Sequence, residues 1–241
     1  MNPTDTRTQA ALDAALGHVA ATAAQAASRT VDLLGAMAQG AVRIYERDAF
    51  LAAQLDLRHR MPTFCRTFEE VVRTGLNAEL APRAGDSGHQ LTTATWESLA
   101  LVDDAEVEER MFSERIGQAI AHECEWELRE LAAYMGALLR IGRADQERNP
   151  FKPDAIGTAL YKAIEAASAE RESRKLLARE MGPVMAKGMR LCYAEMVSDF
   201  KARAIQPVNL SIRGVEGPGS DRVVSGYATL PRDETHGGGG A

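Results

Sequence analysis

Arg115, His122, Trp126 and Arg129 are the residues whose types and spacing could do chemistry together. On a helix they project within about a quarter-turn of one another, and Arg140 follows on the same side. An indole with a guanidinium one turn away can stack a flat group, bind an anion, or meet the acidic groups of a partner. The competing reading is a charged, solvated face, or a tryptophan packed under a neighbouring helix. These four are therefore candidate binding residues, and no residue is assigned a catalytic role.

Other chemistry is sparse. Asp103, Asp104, Glu106, Glu108 and Glu109 crowd one short stretch. No His or Cys sits among them, so they read as a capped helix start and not as a metal site. Asp103 and Glu106 have the spacing of a capping box, and the acids suit the positive end of a helix dipole. His122 and Cys124 are two apart and point to different sides of a helix, and the Glu-x-x-His pattern of di-iron bundles fails at Ala119. Cys65, Cys124 and Cys192 are scattered, without a CxxC pair, and read as buried free thiols. Phosphate-binding, dinucleotide-binding, GxSxG and HExxH motifs are absent. Asn209-Leu-Ser-Ile-Arg-Gly214 matches half of the signature of PilZ domains, which bind cyclic di-GMP. The Arg-x-x-x-Arg half is missing upstream, and the match reads as chance. No metal and no cofactor is expected.

The elements that must position these residues read as helices. Ser98-Leu-Ala-Leu-Val-Asp-Asp104 opens a stretch in which Ile116, Ile120, Cys124, Leu128, Leu131, Met135 and Leu138 recur every three or four residues. That stripe predicts one buried helix face. Unbroken from Asp104 to Ile141, the helix would be a central rod about 57 Å long. Upstream, Ala10–Ala27 is alanine-rich and offers little to pack with, so residues 1–27 are expected to be peripheral or mobile. Ser28 or Thr30 can cap a helix reaching about Leu57, in which Gly35 and Gly40 weaken it or allow a close crossing. Pro62 suits the start of the next helix, whose apolar face is Phe64, Phe68, Val71, Val72, Leu76 and Leu80. Pro82–Gly88 is the clearest internal loop, with His89 beside it.

Downstream, Gly142 can end the rod and Asn149–Pro153 forces a turn. Asp154 starts a helix with Ile156, Leu160, Ile164 and Ala167, and Ser168 can cap another. Gly182-Pro183 is expected to break or kink that last helix, and the stripe from Val184 to Phe200 continues it. Val208, Leu210 and Ile212 could make one short strand. The glycine-rich residues beyond them read as a disordered tail.

Composition sets the class. The 241 residues include 45% hydrophobic, 26% charged and only 5% aromatic types, with abundant alanine. That balance favours closely packed helices and is ordinary for a soluble protein. A net charge of −6 argues against a general nucleic-acid binder. No signal pattern opens the chain and no apolar run is long enough to span a membrane, so a cytoplasmic location is expected. The predicted fold is all-α: an elongated bundle of five to seven helices over residues 28–206, with one long central helix and disordered ends (1–27 and 207–241).

Residues 98–141 together with Glu147-Arg-Asn-Pro-Phe-Lys-Pro-Asp154 resemble the bacterial domain-of-unknown-function family 1631. The paired aspartates after an apolar run, Trp126-Glu-Leu-Arg-Glu-Leu131 and the Arg-Asn-Pro turn carry the likeness. It extends less sharply from Leu57, through Arg58-His-Arg60, to Pro207. The resemblance implies no established reaction and no catalytic residue. Some members carry a thymidine phosphorylase label, and some longer members are linked to cyclic di-GMP signalling through a PilZ domain. The expected function is a non-catalytic regulatory or scaffolding domain that binds a protein, with self-association open and no nucleic-acid or membrane partner. The second reading is a nucleotide or small-molecule sensor built on Arg115, His122, Trp126 and Arg129. An enzyme, such as a nucleoside phosphorylase, comes third.

Overall fold

A computed structural model describes residues 3–81 and 104–208. They form seven helices: α1 (Pro3–Gly40), α2 (Ile44–His59), α3 (Met61–Leu80), α4 (Asp104–Glu123), α5 (Glu125–Leu138), α6 (Pro153–Ala167) and α7 (Arg171–Ala202). Among the described residues there is no strand, so the all-α expectation holds. None of these helices is long and apolar enough to cross a membrane. The Pro82–Gly88 loop, His89, the cap at Asp103 and the sequence from Asn209 onward lie outside the described residues.

The hydrophobic stripes fold as their spacing dictates. Phe64, Phe68, Val72 and Leu76 recur every fourth residue on α3 and are buried. Ile156, Leu160 and Ile164 do the same on α6, where Pro153 occupies the first turn. Both helices put one face into a shared core. Tyr193 is the largest polar intrusion there, and its hydroxyl donates to the Phe151 carbonyl at 2.8 Å. Burying that O–H without a partner would cost stability, and the buried Phe151 carbonyl of the Asn149–Pro153 turn removes the penalty.

The organising helix is α7, not the stretch after Asp103. α7 packs against α1, α2, α4, α5 and α6. It runs as one helix through Pro183, where a break or a kink was expected, so the proline does not break it. Buried Met181, Gly182, Met185 and Ala186 flank the proline, and their packing outweighs its missing N–H. The expected rod over 104–141 is instead two helices, divided at Cys124, which leaves α geometry at φ −122° and ψ 23°. α4 packs on α6 and α7, whereas α5 packs chiefly on α7. The bend lets one apolar stripe serve both surfaces.

Three further expectations are corrected. Residues 10–27 are not peripheral: they are the middle of α1, where Leu12, Leu16, Val19 and five alanines are buried. Alanine has little surface to bury but lets two helices approach closely, and α1 lies along α7. Thr30 caps nothing, since α1 continues past it and its hydroxyl donates to the Ala26 carbonyl at 2.8 Å. Ser168 is not a cap either. It donates to Asp56 at 2.6 Å and ties α6 to α2, while Glu170 precedes α7.

Glycine is needed where α4 crosses α6. A Cβ on Gly157 would collide with the Ser113 carbonyl, and one on Gly117 would meet Asp154. Nearby, Glu108 is buried at the start of α4 and accepts from Arg171 at 2.6 Å, fastening the start of α7.

Candidate functional site

The bend at Cys124 divides the four candidate residues between two helices. Arg115 and His122 lie on α4, both exposed. Trp126 and Arg129 lie on the first turns of α5, where the indole is 76% exposed. The Arg129 guanidinium sits 5.3 Å from the Trp126 ring centroid, and its Nη2 donates to Glu125 at 2.7 Å. Half of the expected constellation is thus assembled.

Trp126 and Arg129 stand at one rim of a groove of about 900 Å³ between α5 and α7. Ala133, Tyr134, Ala194 and Val197 form its apolar floor, and Glu127, Glu130 and Lys201 stand on its edges. Arg115 and His122 take no part in it. The α7 contribution and the third wall, Pro207–Val208, were not foreseen. Their only sequence trace is the small pair Ala194 and Ser198, four apart on one face of α7, which leaves room beside the indole.

The third wall follows from how α7 stops. Ala204 adopts φ 49°. Ala204 N–H then donates to the Lys201 carbonyl at 2.9 Å, and Ile205 N–H donates to the Phe200 carbonyl at 3.0 Å. This pair of bonds is a Schellman motif, which reverses the chain. The strap 205–208 returns to α5, where Val208 N–H donates to the Ala133 carbonyl at 3.0 Å. Gly136 permits the approach, since a Cβ there would meet Val208 and the Arg143 carbonyl. α5 ends by the same motif, with Arg140 at φ 56° and Ile141 N–H donating to the Gly136 carbonyl. The expected stop at Gly142 falls two residues later.

The charges on the rim are already matched. Lys201 Nζ lies 2.7 Å from Glu130, and that hydrogen bond raises the lysine pKa, favouring the ammonium. Arg129 holds Glu125. The groove therefore offers two paired cations and a free indole face, not a concentrated positive field. The cysteines are remote from it in chemistry. Burial pushes Cys124 up to about 12 and Cys192 to about 11, so both are poor nucleophiles at neutral pH. Among the described residues no cluster of His, Cys, Asp and Glu could hold a metal ion.

The family comparison bears on the same residues. The family model "Protein of unknown function (DUF1631) N-terminal domain" matches residues 5–196. The chain belongs to this family. The match reaches back through α1, well beyond the 57–207 region in which the resemblance is legible, and forward over most of α7. It includes Trp126, Arg129 and Ala194 of the groove, but stops short of Val197, Lys201 and the strap. No curated protein and no solved structure matches the chain.

Proposed function

We propose that this DUF1631 domain is a non-catalytic regulatory or scaffolding module that takes a protein partner in the α5–α7 groove. The observation that carries this reading is Trp126: an indole exposed at the rim of an apolar-floored groove, stacked by an arginine. Tryptophan and arginine beside an apolar depression are the side chains that most often dominate protein–protein binding energy. The paired rim charges suit a partner of mixed charge, because each carboxylate and each cation can exchange its intramolecular mate for one on the partner.

Capture from the native cell with wild-type and Trp126→Ala baits tests it. Loss of an anchor residue costs about 2 kcal/mol, roughly thirty-fold in affinity. The expected result is a partner recovered by wild type and lost with the variant, whose melting temperature is unchanged. Equal recovery on both baits removes the groove from the reading.

The sensor reading keeps one supporting observation, since Trp126 and Arg129 do line a concavity. Against it, both cations are bound to carboxylates, so a nucleotide phosphate finds no unpaired charge. A thermal-shift screen with cyclic di-GMP, and with thymidine plus phosphate, decides. A ligand at 100 times its Kd adds about 2.7 kcal/mol, and a shift abolished by Arg129→Ala would place the sensor reading first.

A further inference from the structure

α2 carries apolar side chains on two opposite sides, and the bundle uses one. Ala53 and Leu57 are buried in the core. Ile44, Leu51 and Leu55 project the other way, within about 40° of one another at 3.6 residues per turn. They are 69%, 38% and 48% exposed. A surface helix of a bundle needs a single apolar stripe, so packing among the described residues leaves the outer one unexplained.

The outer stripe has the spacing of a seam. Positions 44, 48, 51, 55 and 58 step by four and three, the repeat that lets two helices pack along their length. Two of the five positions are charged, with opposite signs: Asp48 before the leucines and Arg58 after them, both exposed.

We propose that this face binds α2 of a second copy, antiparallel, about a two-fold axis that crosses the outer face midway between Leu51 and Leu55. Such an axis sets Leu51 against Leu55 of the second copy and Asp48 against its Arg58. Symmetry repeats both pairs, as an isologous interface requires. A parallel pairing would set Asp48 on Asp48 and Arg58 on Arg58, where like charges repel. The charge order along the seam thus fits a reversed copy of itself. Within one chain Asp48 meets Arg47 at 3.3 Å, but both are largely exposed, and such surface pairs are weak enough to rearrange. Asp48 in mid-stripe also disfavours insertion of this face into lipid. α2 is only about 24 Å long, so the contact is small and its Kd falls in the micromolar range.

Sedimentation velocity on the full chain, from about 1 to 200 µM, tests the proposal. The expected result is a concentration-dependent rise from 26.1 kDa toward twice that mass. Asp48→Arg and Arg58→Asp each weaken association by about ten-fold or more, and the double exchange recovers it to within about three-fold. All three variants keep the wild-type melting temperature, because the altered residues are exposed, and this separates lost pairing from misfolding. A monomer across the whole range overturns the proposal and would leave the stripe for a different protein. A dimer indifferent to either single reversal also overturns it, by placing association elsewhere. Failure of the double variant to recover overturns the antiparallel register.

Discussion

Cys124 shows how one residue can be read correctly as core and still hide its structural role. Its place in the apolar stripe made it a buried thiol, and it is buried, with Sγ 3.8 Å from the Ala186 carbonyl. Nothing in its type marked it as the point where α4 gives way to α5. That interruption leaves Arg115 and His122 on α4 and Trp126 and Arg129 on α5, and only the latter pair lines the groove. Burial itself has a measurable consequence. A thiol-specific reagent should label one cysteine in the folded chain, half-buried Cys65, and all three after unfolding. Rapid labelling of all three in native buffer would contradict the packing. The pH dependence has a definite sign. Cys124 and Cys192 hold their protons in the fold above the pH at which the unfolded chain releases them. Their contribution is therefore fully present below pH 9.0 and falls as pH rises toward about 12. Urea midpoints should decline over that window, and Cys124→Ala should make the decline shallower. An equally steep decline in the variant would assign it to other groups.

At the scale of elements, the helix stops control the groove. Ala204 and Arg140 take the left-handed position that glycine usually fills, at φ 49° and 56°, and an L side chain there costs about 1 kcal/mol. Ala204→Gly should relieve that strain without moving the strap. We expect a gain of about 0.5–1 kcal/mol, read as a rise of about 1–4 °C in Tm. Gly136→Val should act oppositely on the same wall, since its side chain would displace Val208 from α5. Its signature is weaker partner capture through the groove, together with a lower Tm. A variant that melts early yet captures normally would show that the strap does not shape the binding surface. These elements also show what was legible in the chain. Apolar stripes predicted α3, α6 and both halves of the 104–141 stretch, because one buried face per helix leaves a 3.6-residue signature. The left-handed geometry of the two stops at Arg140 and Ala204 was not legible, because a left-handed alanine or arginine carries no mark in the sequence. Pro183 does not end α7, for the converse reason: tertiary packing overrode a strong local signal.

At the scale of the whole molecule, the described residues fall in one compact unit, and its centre lies where composition gave least warning. Residues 10–27 look too poor in large side chains to matter, yet that poverty lets α1 lie close along α7. Gly188 of α7 faces Thr22 of α1 so closely that a Cβ would touch its methyl at 3.0 Å. The burial is substantial when summed. Leu12, Leu16 and Val19, all buried, are worth about 1.5–3 kcal/mol each, and the five buried alanines add about 1 kcal/mol apiece. The total, on the order of 10 kcal/mol, is as large as the net stability of an ordinary domain. A chain lacking residues 1–27 should therefore not behave as a trimmed domain. It should lose its cooperative thermal transition and bind a hydrophobic dye, because Cys192 and the face of α7 beside Thr22 would lose their cover. Adding residues 1–27 back as a separate peptide should restore the transition in proportion to peptide concentration, as binding to the folded state alone requires. If the shortened chain instead melts cooperatively near the full-length Tm, α1 is an ornament on the bundle, and the core must be redrawn without it.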